Sequence, residues 1–217
     1  MQKQLEFKKV RGWGGKRRGA GRPNKSGLVS HGKRAPVDLK KPLHINMHLK
    51  QKMPNLRTRE FLRQFKAAGF AARKFGLYLN HFSLLDNHIH LIVEANDNSA
   101  LERGMKSLSG RLGKILRQKI GGKGSVWAGR FHLHVLKSPT EVKRALEYVL
   151  LNRAKHGKLI EHLDDFSSAH AFKEWKQLIG RRLTWILTDQ MKLPIEISEI
   201  SAPQSWLLRV GWTRAPS

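Results

Sequence analysis

Leu77-Tyr78-Leu79-Asn80-His81-Phe82-Ser83-Leu84-Leu85-Asp86-Asn87-His88-Ile89-His90-Leu91-Ile92-Val93-Glu94-Ala95 is the stretch on which the fold turns. Two apolar-rich runs, 77–85 and 88–95, flank Asp86-Asn87, a pair suited to a tight turn, and this reads as a β-hairpin. Working backward, Thr58 to Lys74 carries Phe61, Leu62, Phe65, Ala68 and Ala72 at helical spacing, with Gly76 just past its end. Before it, Leu43, Ile45, Met47 and Leu49 alternate with His44, Asn46, His48 and Lys50, the period of a half-buried strand. Working forward, Ser99 can cap a helix through about Ile120. Gly121-Gly122-Lys123-Gly124 breaks it before a strand over 126–136, and Ser138-Pro139 opens a further helix.

The order β-α-β-β-α-β plus a helix implies an α+β, ferredoxin-like split βαβ fold. It has an antiparallel sheet, helices on one face and the other face open to ligand. We expect this core over 42–158, an irregular C-terminal extension over 159–217 that packs on the core or on DNA, and a basic arm over 1–41. That arm holds 13 Lys and Arg, two acids and no apolar period, so burial cannot offset the entropy of ordering it. Within it Arg17-Arg18-Gly19-Ala20-Gly21-Arg22-Pro23 partly matches an AT-hook, whose Gly-Arg-Pro lies in a narrow minor groove, with Ala20-Gly21 standing where an AT-hook has Arg-Gly; general attraction of a solvated arm to phosphates is the favoured alternative, and Arg17, Arg18 and Arg22 are the candidate phosphate or base contacts in either case. Trp175, Trp185 and the run Trp206 to Trp212 mark the extension, where core packing is favoured over base stacking.

Forty-two Lys and Arg against 16 Asp and Glu give a net charge of +26, which makes compaction costly unless a polyanion is the usual partner, and nucleic acid is the leading one. There are no cysteines, so disulfides and thiolate metal sites are excluded. No apolar run approaches the roughly 20 residues of a membrane span, and the expectation is a soluble cytoplasmic protein associated with the nucleoid.

Residues of chemical interest fall at two places. In His88-Ile89-His90 the strand period puts both imidazoles on one face, where two nitrogens can converge on a metal, while Ile89 turns to the core. In the last helix Glu141 completes a capping box with Ser138, and Val142, Ala145, Leu146, Val149 and Leu150 form the buried stripe. Tyr148 and Asn152, four positions apart, share its flank. The other tyrosine, Tyr78, sits in a strand among apolar neighbours and is assigned to packing. His132 and His134 repeat the His-x-His spacing on a second strand and compete for the metal role; packing or contact with phosphate or base is the other assignment, and Arg130 beside them is a phosphate contact.

Asn87-His88-Ile89-His90-Leu91-Ile92-Val93 and Glu147-Tyr148-Val149-Leu150-Leu151-Asn152 resemble the metal-binding strand and catalytic helix of the HUH single-tyrosine transposases, and among them the REP-associated, IS200-like group. Trp127 to Phe131, Asp165-Phe166-Ser167-Ser168 and the 206–212 tail extend the resemblance, and Arg153 departs from it where many relatives carry Pro. The resemblance implies a metal-dependent endonuclease and strand transferase acting on single-stranded DNA beside a hairpin of REP type. Tyr148 would be the nucleophile that forms a 5′-phosphotyrosine; His88, His90 and Asn152 would hold Mg2+ or Mn2+, and Lys155 would assist or touch phosphate. It leaves the general base and the choice between monomer and homodimer open. The rival is a non-catalytic DNA- or RNA-binding protein on the same fold, although the aromatic pattern of RNA-binding sheets is absent.

Overall fold

The computed structural model describes residues 32, 34–152, 163–179 and 200–216. Arg17, Arg18, Arg22, Lys155 and Trp185 therefore lie outside the described residues. The fold described below lies within residues 34–216.

Strands β1 (Leu43–His48), β2 (Leu77–Leu84), β3 (His88–Ala95) and β4 (His132–Val135) form one antiparallel sheet in the order β2-β3-β1-β4. Helices α1 (Arg59–Ala72) and α2 (Asn98–Ile120) complete the α+β, ferredoxin-like pattern expected from the sequence. Alternation builds the main core: Leu43, Ile45 and Met47 of β1 and Ile89, Leu91 and Val93 of β3 are buried against Phe61, Phe65, Met105, Leu108 and Leu112. Each such side chain contributes about 1.5–3 kcal/mol of burial. The helix layer lies tight on β2, because a Cβ on Gly104 of α2 would stand 2.4 Å from the Leu77 Cβ.

Several boundaries differ from the sequence reading. Helix α1 ends at Ala72, and a 3-10 turn over Arg73–Phe75 closes on Gly76, whose φ of 79° suits glycine. Asp97, not Ser99, caps α2, accepting from the Ala100 amide at 2.7 Å. The strand expected over 126–136 is regular only over His132–Val135. Trp127 forms an isolated bridge with Leu49, just past the end of β1, and its indole donates to the Ser109 carbonyl at 3.1 Å. Strand β2 carries a register shift between Leu79 and His81, so Leu79 and Phe82 both reach the main core while His81 turns to the opposite side, edge-on to Phe172.

That opposite face is not left open, as the sequence reading had it. Helix α3 (Pro139–Leu150) packs its stripe of Val142, Ala145, Leu146, Val149 and Leu150 against Ile92 of β3. Two short helices, α4 (Trp175–Ile179) and α5 (Trp206–Arg209), close the same cluster with Phe172, Trp175, Leu178, Leu208 and Trp212. Trp175 and Trp212 are core residues, whereas Trp206 is exposed.

Two polar anchors fix these C-terminal pieces. Arg57, before α1, grips Asp164 with two guanidinium bonds of 2.8 and 2.7 Å, donates to the Leu84 carbonyl and stacks over Phe166. The buried Glu94 carboxylate at the end of β3 accepts the Ser205 amide at 2.7 Å, the Gln204 amide at 2.8 Å and the Asn80 carboxamide at 3.1 Å. Charge-assisted bonds of this kind are about twice as strong as neutral ones.

Candidate active site

Antiparallel register sets the polar residues of three strands side by side on the α3 face. His48 stands opposite His88, Asn46 opposite both His90 and His132, and His44 opposite both Ile92 and His134. The six histidines of β1, β3 and β4 therefore share one face. His88 and His90 sit with ring centroids 4.9 Å apart and nearly perpendicular. His48 stacks on His88 at 4.9 Å, and His132 meets His48 edge-on at 6.3 Å.

Helix α3 carries Tyr148 over this row. Ser138 caps the helix by accepting the Glu141 amide at 3.2 Å. The expected reciprocal half of the capping box is not made, because the Glu141 carboxylate instead accepts the Lys137 amide at 2.8 Å and faces His134 at 3.3 Å. The Lys137 amide, and His134 after it, hold the Glu141 carboxyl below the usual carboxylate range. The half-buried Tyr148 ring lies edge-on to His90, 4.9 Å between centroids, and 6.0 Å from His44.

Asn152 does not share the helix with Tyr148, as the sequence reading had it: α3 ends at Leu150 and Leu151 caps it, so Asn152 lies just beyond. Its side chain is 1% exposed, and neither amide atom has a hydrogen-bond partner among the described residues. Burying such a group unsatisfied costs about 1–3 kcal/mol, which a bound partner would offset.

The ring nitrogens are held from one side. His88 Nδ1 faces the Asn87 Oδ1 at 2.8 Å, and His90 Nδ1 faces His44 Nε2 at 3.3 Å. Burial first, and the neighbouring His134 second, push the His44 pKa down; burial and then His132 do the same at His48. Among the described residues no three His, Asp or Glu side chains gather as a cation cage. Two imidazoles and the orphaned Asn152 carboxamide are nevertheless a donor set that suits a divalent cation with retained waters.

His132 and His134 lie on the same face as His88 and His90, with β1 between them, and are exposed at the sheet edge, where His132 meets His48 edge-on and His134 faces Glu141. Arg130 is half-buried in the loop before β4. Beside it Arg34 stacks over Phe131 and donates to its carbonyl. Sequence reasoning passed over His44, Asn87 and Asn46; the alternation of His44, Asn46 and His48 was visible, and only the strand order brings it against β3.

The family model described as IS200-like transposase matches residues 42–150, half of the chain. Among solved structures, a REP-associated tyrosine transposase bound to a REP hairpin superposes with a TM-score of 0.54 at 16% identity, covering 82% of this chain and 100% of that one. A crystal structure assigned as a transposase from Deinococcus radiodurans R1 gives a TM-score of 0.37 at 15% identity, covering 59% and 92%. Comparison with curated protein sequences finds no match. Among the described residues no helix is long and apolar enough to cross a membrane. The first superposition speaks for the fold alone, whereas the family match spans β1 through α3: the chain belongs to the IS200-like transposase family and is an enzyme of the HUH transposase class.

Proposed function

We propose that the protein cuts and rejoins one strand of DNA beside a hairpin of REP type, with Tyr148 as nucleophile and with His88, His90 and Asn152 holding Mg2+ or Mn2+. The observation that carries this reading is the Tyr148 ring set edge-on against His90. The buried, unpartnered Asn152 carboxamide supports the ligand set, as do Nδ1 contacts that turn the other nitrogen of each imidazole toward a ligand role. The relative bound to a REP hairpin supports the substrate class. When bound, a divalent ion neutralises a non-bridging phosphate oxygen and aligns the phosphorus for in-line attack.

The chain's own residues supply the rest. A phenol of ordinary pKa ~10 is a weak nucleophile at neutral pH, so the placement of Tyr148 has to deliver rate through proximity. Its Oη forms a bond to phosphorus while the bond from phosphorus to the 3′ oxygen breaks; the phenolic proton goes to a base and the departing oxygen gains one to become a 3′-hydroxyl. The strand is left joined through a 5′-phosphotyrosine. Because one phosphoester is exchanged for another, a 3′-hydroxyl can reverse the step without a nucleotide cofactor.

Arg130, His132 and His134 border the sheet edge where the flanking strand would pass, and they hold its phosphates or bases. Lys155, three positions beyond Asn152 in the sequence, assists at phosphate. The arm around Arg17, Arg18 and Arg22 adds affinity for duplex DNA. Incubating the protein with a single-stranded DNA hairpin and Mn2+ tests the reading on a denaturing gel. A protein band shifted by covalent DNA is expected, and Tyr148→Phe is expected to lose it; binding that leaves the DNA intact would reduce the protein to a non-catalytic binder.

A further inference from the structure

We propose that His44 is a positioning residue, whose Nε2 accepts a hydrogen bond from the His90 Nδ1–H and so leaves Nε2 of His90 as the nitrogen with the lone pair. The inference rests on the reading of His90 as a metal ligand, and it assigns a task to a side chain that the proposed chemistry leaves unused. His44 stands on β1 beside β3, Nε2 to Nδ1 at 3.3 Å, with the two rings tilted by 31° and 5.4 Å apart. It also flanks Tyr148, so one side chain touches both the ligand and the nucleophile.

Two neutral imidazoles sharing one hydrogen bond must divide the roles: one nitrogen donates and the other accepts. Were His44 the donor, His90 would carry its own proton on Nε2 and could not offer that nitrogen to a cation. The neighbouring ligand supplies the parallel for the proposed direction. His88 Nδ1 faces a carboxamide oxygen of Asn87, which can only accept, so the neutral His88 ring holds its proton on Nδ1 and its lone pair on Nε2. Two adjacent imidazoles are thus gripped at the same nitrogen by unrelated partners on different strands and turns. Such partners fix ring orientation and tautomer, and losing one typically costs about 10–100-fold in metal affinity.

The test compares wild type with His44→Phe, which keeps a ring and lacks an acceptor, and His44→Gln, whose Oε1 can reach the place of the imidazole Nε2. Nitrogen-15 correlation spectra of the metal-free protein report which His90 nitrogen carries hydrogen. The expected result is Nδ1–H in wild type, a shift toward Nε2–H in His44→Phe, and restoration in His44→Gln. Mn2+ binding followed by electron paramagnetic resonance is expected to weaken about 10–100-fold in His44→Phe and to recover in His44→Gln, with the thermal midpoint a control for folding. An Nε2–H tautomer in wild type, or a His44→Phe protein that keeps both tautomer and affinity, overturns the proposal. If His90→Ala binds Mn2+ as wild type does, the ligand reading fails instead, and the tautomer measurement still decides what His44 does.

Discussion

Acidification singles out one buried group, His81. The register shift in β2 turns its ring away from the main core and against Phe172, with Nδ1 3.4 Å from the Ser168 hydroxyl. Burial lowers its pKa from 6.5 to about 4. A histidine depressed in the folded state is neutral there while the unfolded chain takes up the proton, so stability is full above pH 6.5 and falls as pH drops toward 4. Each tenfold difference in proton affinity between the folded and unfolded chain is worth about 1.4 kcal/mol, so the loss approaches about 3 kcal/mol near pH 4.

Urea unfolding of wild type and His81→Phe at neutral pH and at about pH 4.5 isolates this contribution, since every other titrating group is common to both. His81→Phe removes the titration and retains an aromatic ring against Phe172. Wild type is expected to lose about 2 kcal/mol more than the variant between the two conditions. Equal losses in both proteins would refute the argument that His81 is held neutral by burial.

Two further perturbations address the C-terminal pieces. Asp164→Asn leaves the Arg57 guanidinium without its anion in a pocket where both side chains are about nine-tenths buried, and a loss of about 3 kcal/mol is expected in urea unfolding; a change within error would mean that the pair is solvated. Glu94→Gln removes the charge that holds the Gln204 and Ser205 amides, and hydrogen exchange is expected to accelerate selectively at these two positions. Protection equal to wild type would show that packing alone docks the segment.

The hairpin of β2 and β3, the capped start of α3 and the buried face of each were legible because each depends on local period and local chemistry. Ile89, Leu91 and Val93 have to face a core, and that single constraint assigns His88 and His90 to the other side. What escaped the sequence was set by distant partners. Asp97 outcompetes Ser99 as a cap while the adjacent Asn98 side chain bonds the backbone of Val37, far off in sequence. Strand β4 is short because its pairing with β1 runs only from Leu43 to Asn46. His44 was read as one more polar residue on an alternating strand, and its place against His90 follows from β1 lying next to β3. The Arg57–Asp164 pair joins residues more than a hundred positions apart, which no window of sequence can see. Asn152 was grouped with Tyr148 by helical spacing, although the helix stops between them.

In the proposed reaction Tyr148 becomes covalently joined to DNA. The direct measurement is mass spectrometry of tryptic peptides after reaction with a hairpin-bearing single strand and Mn2+, followed by nuclease trimming. The nucleotide mass is expected on the peptide from Ala145 to Arg153, localised by fragmentation to Tyr148; the same adduct on Tyr78, or cleaved DNA with every peptide unmodified, would contradict Tyr148 as the nucleophile.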